Sequence, residues 1–463
     1  MTSKQSPVGA KTTNRRVLFG SLSGSAIEWF DFFLYATAAA LIFDKQFFPT
    51  DDPAVSLMLS YVTLSLTFFI RPFGGIIFSH IGDKIGRKKT LVITLSMMGG
   101  ATVAIGCLPN YEQVGILAPI LLIFCRIIQG LAIGGEWGGA LLLAFEYAPK
   151  QRRGFFGAVP QTGITIGMLL STIAFALVSM LPTESFESWG WRIPFIASIV
   201  LVFIGLIIRK GLSETPAFAE AKKSGNVAKL PIAETFRDHW RSVLVAIGAK
   251  VVETAPFYIF ATFVVSYATG NLDFERSTVL NAVSAGAFVS TFAILVMGAL
   301  SDKLGRPKVF MFGAVLIALF AAPFFLLLDI GMDWAVYAAV VIGLGVVWPP
   351  VTATLGTLMS EIFTTRVRYT GVTLGYQIGA ALAGGTAPLL ATYLLTTFGG
   401  SWLPIALYLV GTALISIVAV SLSPRATRKE RELLAARGLK DNTDEAVARA
   451  DVSVLGDDPR PLV

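Results

Sequence analysis

A short polar segment occurs twice in the chain, each time between two long apolar runs. SHIGDKIGRKK at residues 79–89 returns as ALSDKLGRPK at residues 299–308, so that Asp83 corresponds to Asp302 and Arg87 to Arg306, 219 positions apart. A basic segment of this length between apolar runs is typical of a cytoplasmic turn between two membrane helices. The repeat therefore predicts that the chain arose by duplication of a membrane-embedded unit.

A second pair of motifs repeats at nearly the same offset. Glu146 precedes Arg153 by seven residues, and Glu361 precedes Arg368 by seven residues, an offset of 215. Two unrelated motifs that recur at nearly one period are difficult to obtain by chance. The chain is therefore expected to consist of two equivalent halves.

Apolar segments of membrane-spanning length fill most of both halves. There are twelve, six on each side of a polar linker, at residues 17–43, 55–81, 90–109, 117–146, 154–181, 191–210, 242–268, 277–300, 309–328, 334–359, 370–397 and 402–423. With 54% hydrophobic and 14% charged residues, the chain has more apolar surface than a water-soluble fold can bury. We expect an all-α integral membrane protein with twelve transmembrane helices in two six-helix halves.

The basic residues predict how the chain is oriented. Of 37 Lys and Arg residues, 31 lie in the amino tail, the even-numbered connections, the linker and the carboxyl tail. By the positive-inside rule these segments are cytoplasmic, as are both termini, in a bacterial-type inner membrane. The predicted organisation is an amino tail (1–16), a first half (17–210), a linker (211–241), a second half (242–423) and a carboxyl tail (424–463). The placement of the basic residues in cytoplasmic segments explains the net charge of +7. The sequence has no basic stripe with interleaved aromatic residues, so binding to nucleic acid is not expected.

Several motifs are similar to those of a known transporter family. GDKIGRKK, its second copy and RIIQG (126–130) resemble the signature motifs of the major facilitator superfamily. AIEWFDF (26–32), GGEWGGA (134–140), SWGWRIPF (188–195) and VRYTG (367–371) resemble its metabolite:proton symporters, and GGEWGGALLL and YAPK its shikimate and other organic-acid transporters. The resemblance covers residues 17–423 and implies the major facilitator fold and transport by alternating access. Ser79 and Pro307 depart from the loop motif of the family, at positions where Gly and a basic residue are usual.

Charged residues inside the predicted spans are the candidates for function. A charge at the centre of a bilayer costs about 2.5–3.5 kcal/mol, so each needs a partner or a hydrated cavity. Seven residues qualify: Glu28, Asp31, Arg71, Arg126, Glu136, Lys250 and Glu253. The roles of Arg71 and Glu136 stay open, since Arg71 beside Pro72 is equally suited to anchoring the second helix.

Glu28 and Asp31 are predicted to couple transport to protons. They are three residues apart and share one face of the first helix, where two carboxylates do not both stay ionised without a cation. Arg126 is expected to supply that cation, because the resemblance places the fourth helix beside the first along the cavity. We hypothesise that protonation of Asp31 or Glu28 releases Arg126; the alternative is a structural buried ion pair.

Lys250 and Glu253 have the same spacing on the seventh helix, the counterpart of the first helix in the second half. Lys250 is a candidate for binding a substrate carboxylate, with Glu253 orienting the substrate. Mutual neutralisation explains the pair equally well. With Arg126, these residues favour an anionic or zwitterionic solute over a neutral one.

Polar and aromatic residues at similar depth complete the predicted substrate site. Prolines beside several of them are expected to bend the helices around a cavity. The candidates are Gln161, Tyr258, Trp348, Tyr376 and Gln377. Taken singly, each is more often a packing residue than a ligand contact.

The repeated loop motifs predict a gate. In the first copy, Asp83 is expected to accept hydrogen bonds from amides at the start of the eleventh helix, while Arg87 pairs with Glu146. The residues of the second copy, Asp302, Arg306 and Glu361, are expected to do the same at the start of the fifth helix. The resemblance implies that such contacts hold the halves together on the cytoplasmic side and break for inward opening. Purely topogenic charges are the alternative.

The sequence therefore predicts a monomeric, proton-coupled symporter that imports a small organic acid, such as a shikimate-like or another hydroxylated or aromatic carboxylate. A proton-coupled importer of osmolytes such as betaine or proline, an efflux antiporter and a non-transporting receptor are the alternatives. The sequence lacks a phosphate-binding loop, a metal-ligand cluster and a nucleophile with a base, so neither an enzyme nor a cofactor is expected. The expected partners are the solute, protons and the lipid bilayer.

Overall fold

The computed structural model describes residues 7–85, 87–134, 150–210, 239–363 and 368–436, with the single positions 148, 235 and 237. These residues form helices and their connections, without a β-strand among them. A long helix lies along each of the twelve predicted spans, of which the fourth is described only as far as residue 134. The helices are α1 (Pro7–Leu41), α2 (Pro53–Ile85), α3 (Arg87–Cys107), α4 (Leu117–Gly134), α5 (Arg153–Ser179), α6 (Arg192–Lys210), α7 (Trp240–Tyr258, continued by Ile259–Phe263 and Val264–Asn271), α8 (Arg276–Leu304), α9 (Arg306–Leu328), α10 (Asp333–Ile342, continued by Gly343–Val347 and Pro349–Ile362), α11 (Arg368–Ala380, continued by Ala381–Gly385 and Ala387–Thr397) and α12 (Leu403–Ala436).

Short helical turns occupy several of the connections. They are Phe43–Phe47, Tyr111–Val114, Lys150–Arg152, Thr183–Ser185 and Phe186–Gly190. At the carboxyl end, α12 continues past the predicted span through Pro424 to Ala436 as one helix.

Most of the long helices are able to cross a bilayer on their own. Within the described residues, nine are long and apolar enough, and the bent pair Thr183–Gly190 and Arg192–Ile207, with a 45° angle, makes ten if it is one span. The other two predicted spans are α1 and α3. In α1, Glu28 and Asp31 lower the mean hydropathy, and the apolar part of α3 is the shorter segment Val92–Cys107. Large apolar side chains exposed on the outer helices, such as Phe203, Leu319 and Leu407, suit a lipid environment.

The two halves pack together mainly through α5 and α2. The α5 helix lies against α8, and α2 lies against α11. Small residues permit the first contact, since a Cβ added at Gly298 would lie 2.5 Å from the Cβ of Ala158. Close packing of this kind is the main source of helix association in a bilayer, where lipid removes the hydrophobic driving force.

Three helices of the second half change their winding partway along their length. The segments Ile259–Phe263 in α7, Gly343–Val347 in α10 and Ala381–Gly385 in α11 are π-helical turns. In α10 the amide of Trp348 donates to the carbonyl of Gly343 at 3.1 Å, one residue further back than in a regular α-helix. Such turns redirect the neighbouring side chains and are common at functional sites. Here they adjoin Tyr258, Trp348 and Ala380, which line the central cavity.

Candidate functional site

A cavity lies between the two halves. Its volume is about 20 Å³, enough for about one water molecule, so the helices are closed around the site in this state. The first half contributes Trp29, Phe68, Arg71 and Ile164, and the second half contributes Lys250, Glu253, Thr254, Phe257, Tyr258, Trp348, Tyr376 and Ala380. Five of the predicted substrate-binding residues therefore meet at one place: Lys250, Glu253, Tyr258, Trp348 and Tyr376.

Lys250 and Glu253 form a buried ion pair within the cavity wall. The other carboxylate contacts of Glu253 are hydrogen bonds from the hydroxyls of Thr254 (2.8 Å) and Thr352 (3.1 Å). Its backbone carbonyl accepts a hydrogen bond of 2.6 Å from the indole nitrogen of Trp348. Since the charges are paired and both carboxylate oxygens of Glu253 accept hydrogen bonds inside the protein, the pair offsets much of its desolvation cost without a ligand.

Arg71 is a second cation in the cavity lining, and it is packed among aromatic rings. Its guanidinium carbon lies 4.3 Å from the ring centre of Phe68, 4.8 Å from that of Phe32 and 5.8 Å from that of Trp29. Arg71 is 2% exposed, and its Nε and Nη2 atoms have no hydrogen-bond partner. Two buried donors of a cation are thus left open beside the cavity.

Aromatic side chains form most of the remaining wall. The rings of Phe257 and Trp348 lie 4.7 Å apart, and those of Phe257 and Tyr258 lie 5.3 Å apart. The ammonium nitrogen of Lys250 lies over the ring of Tyr376, 3.6 Å from the ring centre. The wall therefore presents flat apolar surfaces, while one of its π faces already holds a cation of the protein.

Arg126 lies outside this lining. Its Nη1 donates to the side-chain oxygen of Gln129 at 2.7 Å, and Nε and Nη2 point to the carbonyls of Thr63 and Leu64 at 3.3 and 3.5 Å. The guanidinium stacks 3.6 Å from the ring centre of Tyr35. The donors of Arg126 are thus directed into the first half rather than into the cavity.

Asp31 is fully buried, and neither of its carboxylate oxygens has a hydrogen-bond partner. Its polar surroundings include Thr102 and Glu28. The hydroxyl of Thr102 accepts a hydrogen bond of 2.9 Å from the side-chain nitrogen of Gln129. The side-chain oxygen of Gln129 in turn accepts a hydrogen bond from Arg126. Arg126 is therefore hydrogen-bonded to Gln129, and through it to Thr102 near Asp31, instead of forming the direct ion pair with Asp31 expected from the sequence. Glu28 is also buried.

The two predicted glutamines are buried near the cavity without lining it. Gln161 donates to the carbonyl of Thr352 at 3.3 Å and so joins α5 to α10 across the two halves. The side-chain oxygen of Gln377 is buried and has no hydrogen-bond partner.

At one end of the cavity, the second copy of the loop motif joins the halves. The carboxylate of Asp302 in α8 accepts hydrogen bonds from the amides of Gly154 (2.7 Å) and Phe155 (3.0 Å) at the start of α5. Arg306 lies 3.3 Å from Asp302 and pairs with Glu361. A carboxylate at a helix amino terminus is favoured by the unpaired amides and by the helix dipole.

In the first copy of the motif, the structure does not describe the side chains that would form these contacts. This applies to the side chains of Asp83 and Arg87 and to Glu146. Glu136 lies outside the described residues as well. The predictions for these residues stay predictions.

Contacts between the halves are also present at the opposite end. The hydroxyls of Tyr61 in α2 and Ser266 in α7 lie 2.8 Å apart. The guanidinium carbon of Arg276 lies 4.3 Å from the ring centre of Phe186. The described residues thus place inter-half contacts on both sides of the cavity, an arrangement suited to an occluded state.

Sequence reasoning missed part of the lining. The sequence identifies Arg71 as an intramembrane charge without assigning it a role, and it does not single out Trp29, Phe68, Thr254 or Phe257. For Arg71 the available signal was its unpaired charge in an apolar segment, which by itself indicates a functional position. For the aromatic residues, the sequence has no pattern that distinguishes a residue of a cavity wall from a residue of the ordinary core.

The chain is similar to known transporters in sequence and in fold. The Major Facilitator Superfamily profile matches residues 22–384. The shikimate transporter of Escherichia coli (strain K12) is 38% identical over 412 residues, which are 88% of this chain and 94% of that protein. The proline/betaine transporter of the same strain is 34% identical over 425 residues, covering 89% of this chain and 84% of that protein. Among solved structures, a D-xylose-proton symporter matches with a TM-score of 0.67 at 15% identity, covering 89% and 98% of the two chains.

Proposed function

This chain belongs to the major facilitator superfamily of membrane transporters, and from this premise we propose that it imports a small organic acid together with protons. The transport cycle would be alternating access about the cavity between the halves. Support for an acid comes from one observation: the lining has two cations, Arg71 and Lys250, and one carboxylate, Glu253. A single negative charge on the substrate would balance the lining.

The aromatic faces favour an acid over a betaine. A quaternary ammonium ligand is usually held against several aromatic faces. Here Arg71 stacks on three rings and Lys250 covers Tyr376, so cations of the protein already occupy these faces. An additional cation would be repelled, whereas an anion would be attracted. The osmolyte importer is therefore the second candidate.

An efflux antiporter for apolar compounds fits the lining less well. Such a protein would have little use for three charged residues that must be desolvated beside the cavity. The shikimate transporter among the relatives agrees with import of a hydroxylated cyclic acid. We therefore place shikimate-like and other ring-bearing carboxylates first.

Proton coupling is assigned to Asp31 and Glu28. A carboxylate with no hydrogen-bond partner in a fully buried site is costly as an anion and acceptable as a neutral acid. The hydrogen-bonded series Thr102, Gln129 and Arg126 provides a path by which the charge on Asp31 affects the packing of α4. Glu28 lies within electrostatic reach of Arg71, so its protonation would strengthen binding of an anion.

Alternating access requires a gate on each side of the cavity, and the repeated loop motif is proposed as the cytoplasmic gate. Asp302, Arg306 and Glu361 would hold the cytoplasmic side closed, and Asp83, Arg87 and Glu146 would act in the same way in the first copy. The excess of basic residues on this side supports cytoplasmic termini and a bacterial inner-membrane location. One chain contains the whole cavity, so a monomer suffices for transport.

The proposal is tested by uptake into proteoliposomes that contain the purified protein. An inward proton gradient is imposed, and labelled shikimate, benzoate, 3-hydroxybenzoate, glycine betaine and proline are supplied singly. Accumulation of an acid with alkalinisation of the lumen supports the proposal. Accumulation of betaine or proline alone would establish the osmolyte importer, and transport driven only by an outward exchange would establish an exporter.

A further inference from the structure

We propose that Arg71 binds the substrate carboxylate and that the cavity accepts a monocarboxylate. This inference rests on the proposed function, since it names the group that would recognise the organic acid. It departs from the sequence-based expectation, in which Lys250 and Arg126 were the candidate cations.

The other two cations are already engaged. Lys250 pairs with Glu253 and lies on the ring of Tyr376. Arg126 uses Gln129 and two backbone carbonyls, and it lies outside the lining. The charge of Lys250 is neutralised by Glu253, and the hydrogen bonds of Arg126 are directed into the first half.

Arg71 differs because two of its nitrogens, Nε and Nη2, are buried and have no partner. These atoms lie on the same edge of the planar guanidinium group. Their N–H groups point in one direction, at the spacing of the two oxygens of a carboxylate. The pair of open donors is therefore a complete bidentate site for one carboxylate.

The surrounding rings hold this edge in place. Phe68, Phe32 and Trp29 pack around the guanidinium and keep water away from it. The backbone is fixed as well, since a Cβ added at Gly134 would lie 1.9 Å from the carbonyl oxygen of Arg71. A fixed, poorly hydrated donor pair binds a carboxylate more tightly than a mobile surface arginine does.

One open donor pair accommodates one carboxylate. A second carboxylate would enter a wall in which Lys250 is neutralised by Glu253 and the rest is largely aromatic. It would be desolvated without a partner, which is unfavourable. The remaining wall of Phe257, Tyr258 and Trp348 suits the flat or cyclic body of the substrate.

The test compares Arg71→Lys and Arg71→Gln with the matched control Arg192→Lys. Arg192 is a partly buried arginine that stacks on Trp191 and donates to the carbonyls of Gly106 and Leu108, outside the cavity lining. The ligand is the acid that wild-type proteoliposomes take up most in the panel above. Its binding to purified protein in detergent is measured by calorimetry.

Arg71→Gln should weaken binding of the acid about 10- to 100-fold, since charged hydrogen bonds are lost. Arg71→Lys should fall between Arg71→Gln and wild type, because an ammonium group replaces the charge but not the bidentate geometry. Arg192→Lys should bind as wild type does. Unchanged affinity in both Arg71 variants would overturn the inference.

A measurement on the wild-type protein covers the case in which the variants fail to fold. The acid should bind at least about tenfold more tightly than its carboxamide and than an analogue with a second carboxylate on the ring. Equal binding of all three would overturn the inference while leaving acid transport intact. If the wild type takes up no acid at all, the proposed function fails first.

Discussion

Asp302 accepts a 2.7 Å hydrogen bond through Oδ1 from the amide of Gly154, and this bond crosses from the second half of the protein to the first. Its other oxygen accepts from Phe155 at 3.0 Å. The two bonds satisfy amides that a helix amino terminus leaves without intrahelical partners. The carboxylate therefore stabilises the start of α5 only while α5 and α8 stay together.

We predict that Asp302→Asn opens this end of the protein. The substitution removes the charge and one of the two acceptors, and hydrogen bonds to charged groups contribute about 1.5–3 kcal/mol each. A cysteine placed by Ser301→Cys, a near-isosteric change where α8 packs against Gly154, should react with a maleimide at least about fivefold faster in the Asp302→Asn background. Both proteins would carry Cys107→Ser and Cys125→Ala.

A matched control is Asp329→Asn, which removes a carboxylate that accepts from Trp402 at 2.7 Å. Asp329 lies in the connection between α9 and α10 and does not join the halves. The labelling rate in this variant should equal that of the parent. If Asp302→Asn also leaves the rate unchanged, Asp302 does not hold the halves together.

The Lys250 and Glu253 pair leads to a prediction about stability. Glu253→Gln leaves a buried ammonium group without its counter-charge, which typically costs about 3–5 kcal/mol. The double variant Lys250→Met/Glu253→Gln should recover most of this loss, because the amide oxygen still accepts from Thr352. Free energies of unfolding measured in mixed micelles would give the coupling energy. Equal stability of the single and double variants would show that the two charges do not interact.

Arg126 is predicted to affect coupling rather than binding. In Arg126→Lys the contacts with Gln129, Thr63 and Leu64 cannot all be kept, but the cavity lining is unchanged. The dissociation constant of the transported acid should therefore stay within about twofold of wild type, while uptake driven by a proton gradient falls about tenfold or more. Gln129→Ala should behave similarly, since it interrupts the series between Arg126 and Thr102. A tenfold weaker affinity in Arg126→Lys would instead identify Arg126 as a substrate ligand.

The fold was predictable because the bilayer imposes a strong signal. Twelve apolar segments and a repeated loop motif determine the helices and their grouping with little need for tertiary detail. The contact of Asp302 with the start of α5 was also expected, since it follows from an acid at a fixed place in a repeated motif. A contact made by one residue of a repeated motif can therefore be predicted from a single sequence.

The site was only partly predictable, for a physical reason. A spacing of three residues places Lys250 and Glu253 on one face of α7, but it does not determine whether they bind a solute or each other. Arg126 is hydrogen-bonded to Gln129 and through it to Thr102, and neither residue has a distinguishing pattern in the sequence. The π-helical turns that direct Trp348 towards the cavity depend on packing between helices, which residue spacing does not encode.

Asp31→Asn is predicted to separate solute movement from proton movement. Asparagine has nearly the same shape as the neutral acid but cannot release a proton, so the variant should behave as a permanently protonated carrier. Exchange of labelled for unlabelled acid across the membrane should continue within about threefold of the wild-type rate. Accumulation driven by an inward proton gradient should be lost, together with alkalinisation of the lumen. Both are measured in the same proteoliposomes with a trapped pH-sensitive dye.

Two comparison variants assign the proton-carrying group. Asp31→Glu retains a carboxyl group and should keep measurable accumulation, whereas a purely structural Asp31 would tolerate Asn better than the longer Glu, because a fully buried site resists added volume. Glu28→Gln distinguishes the two acids of α1. If this variant loses accumulation while Asp31→Asn retains it, the proton is carried by Glu28, and the unpartnered carboxyl group of Asp31 serves the structure of α1 instead.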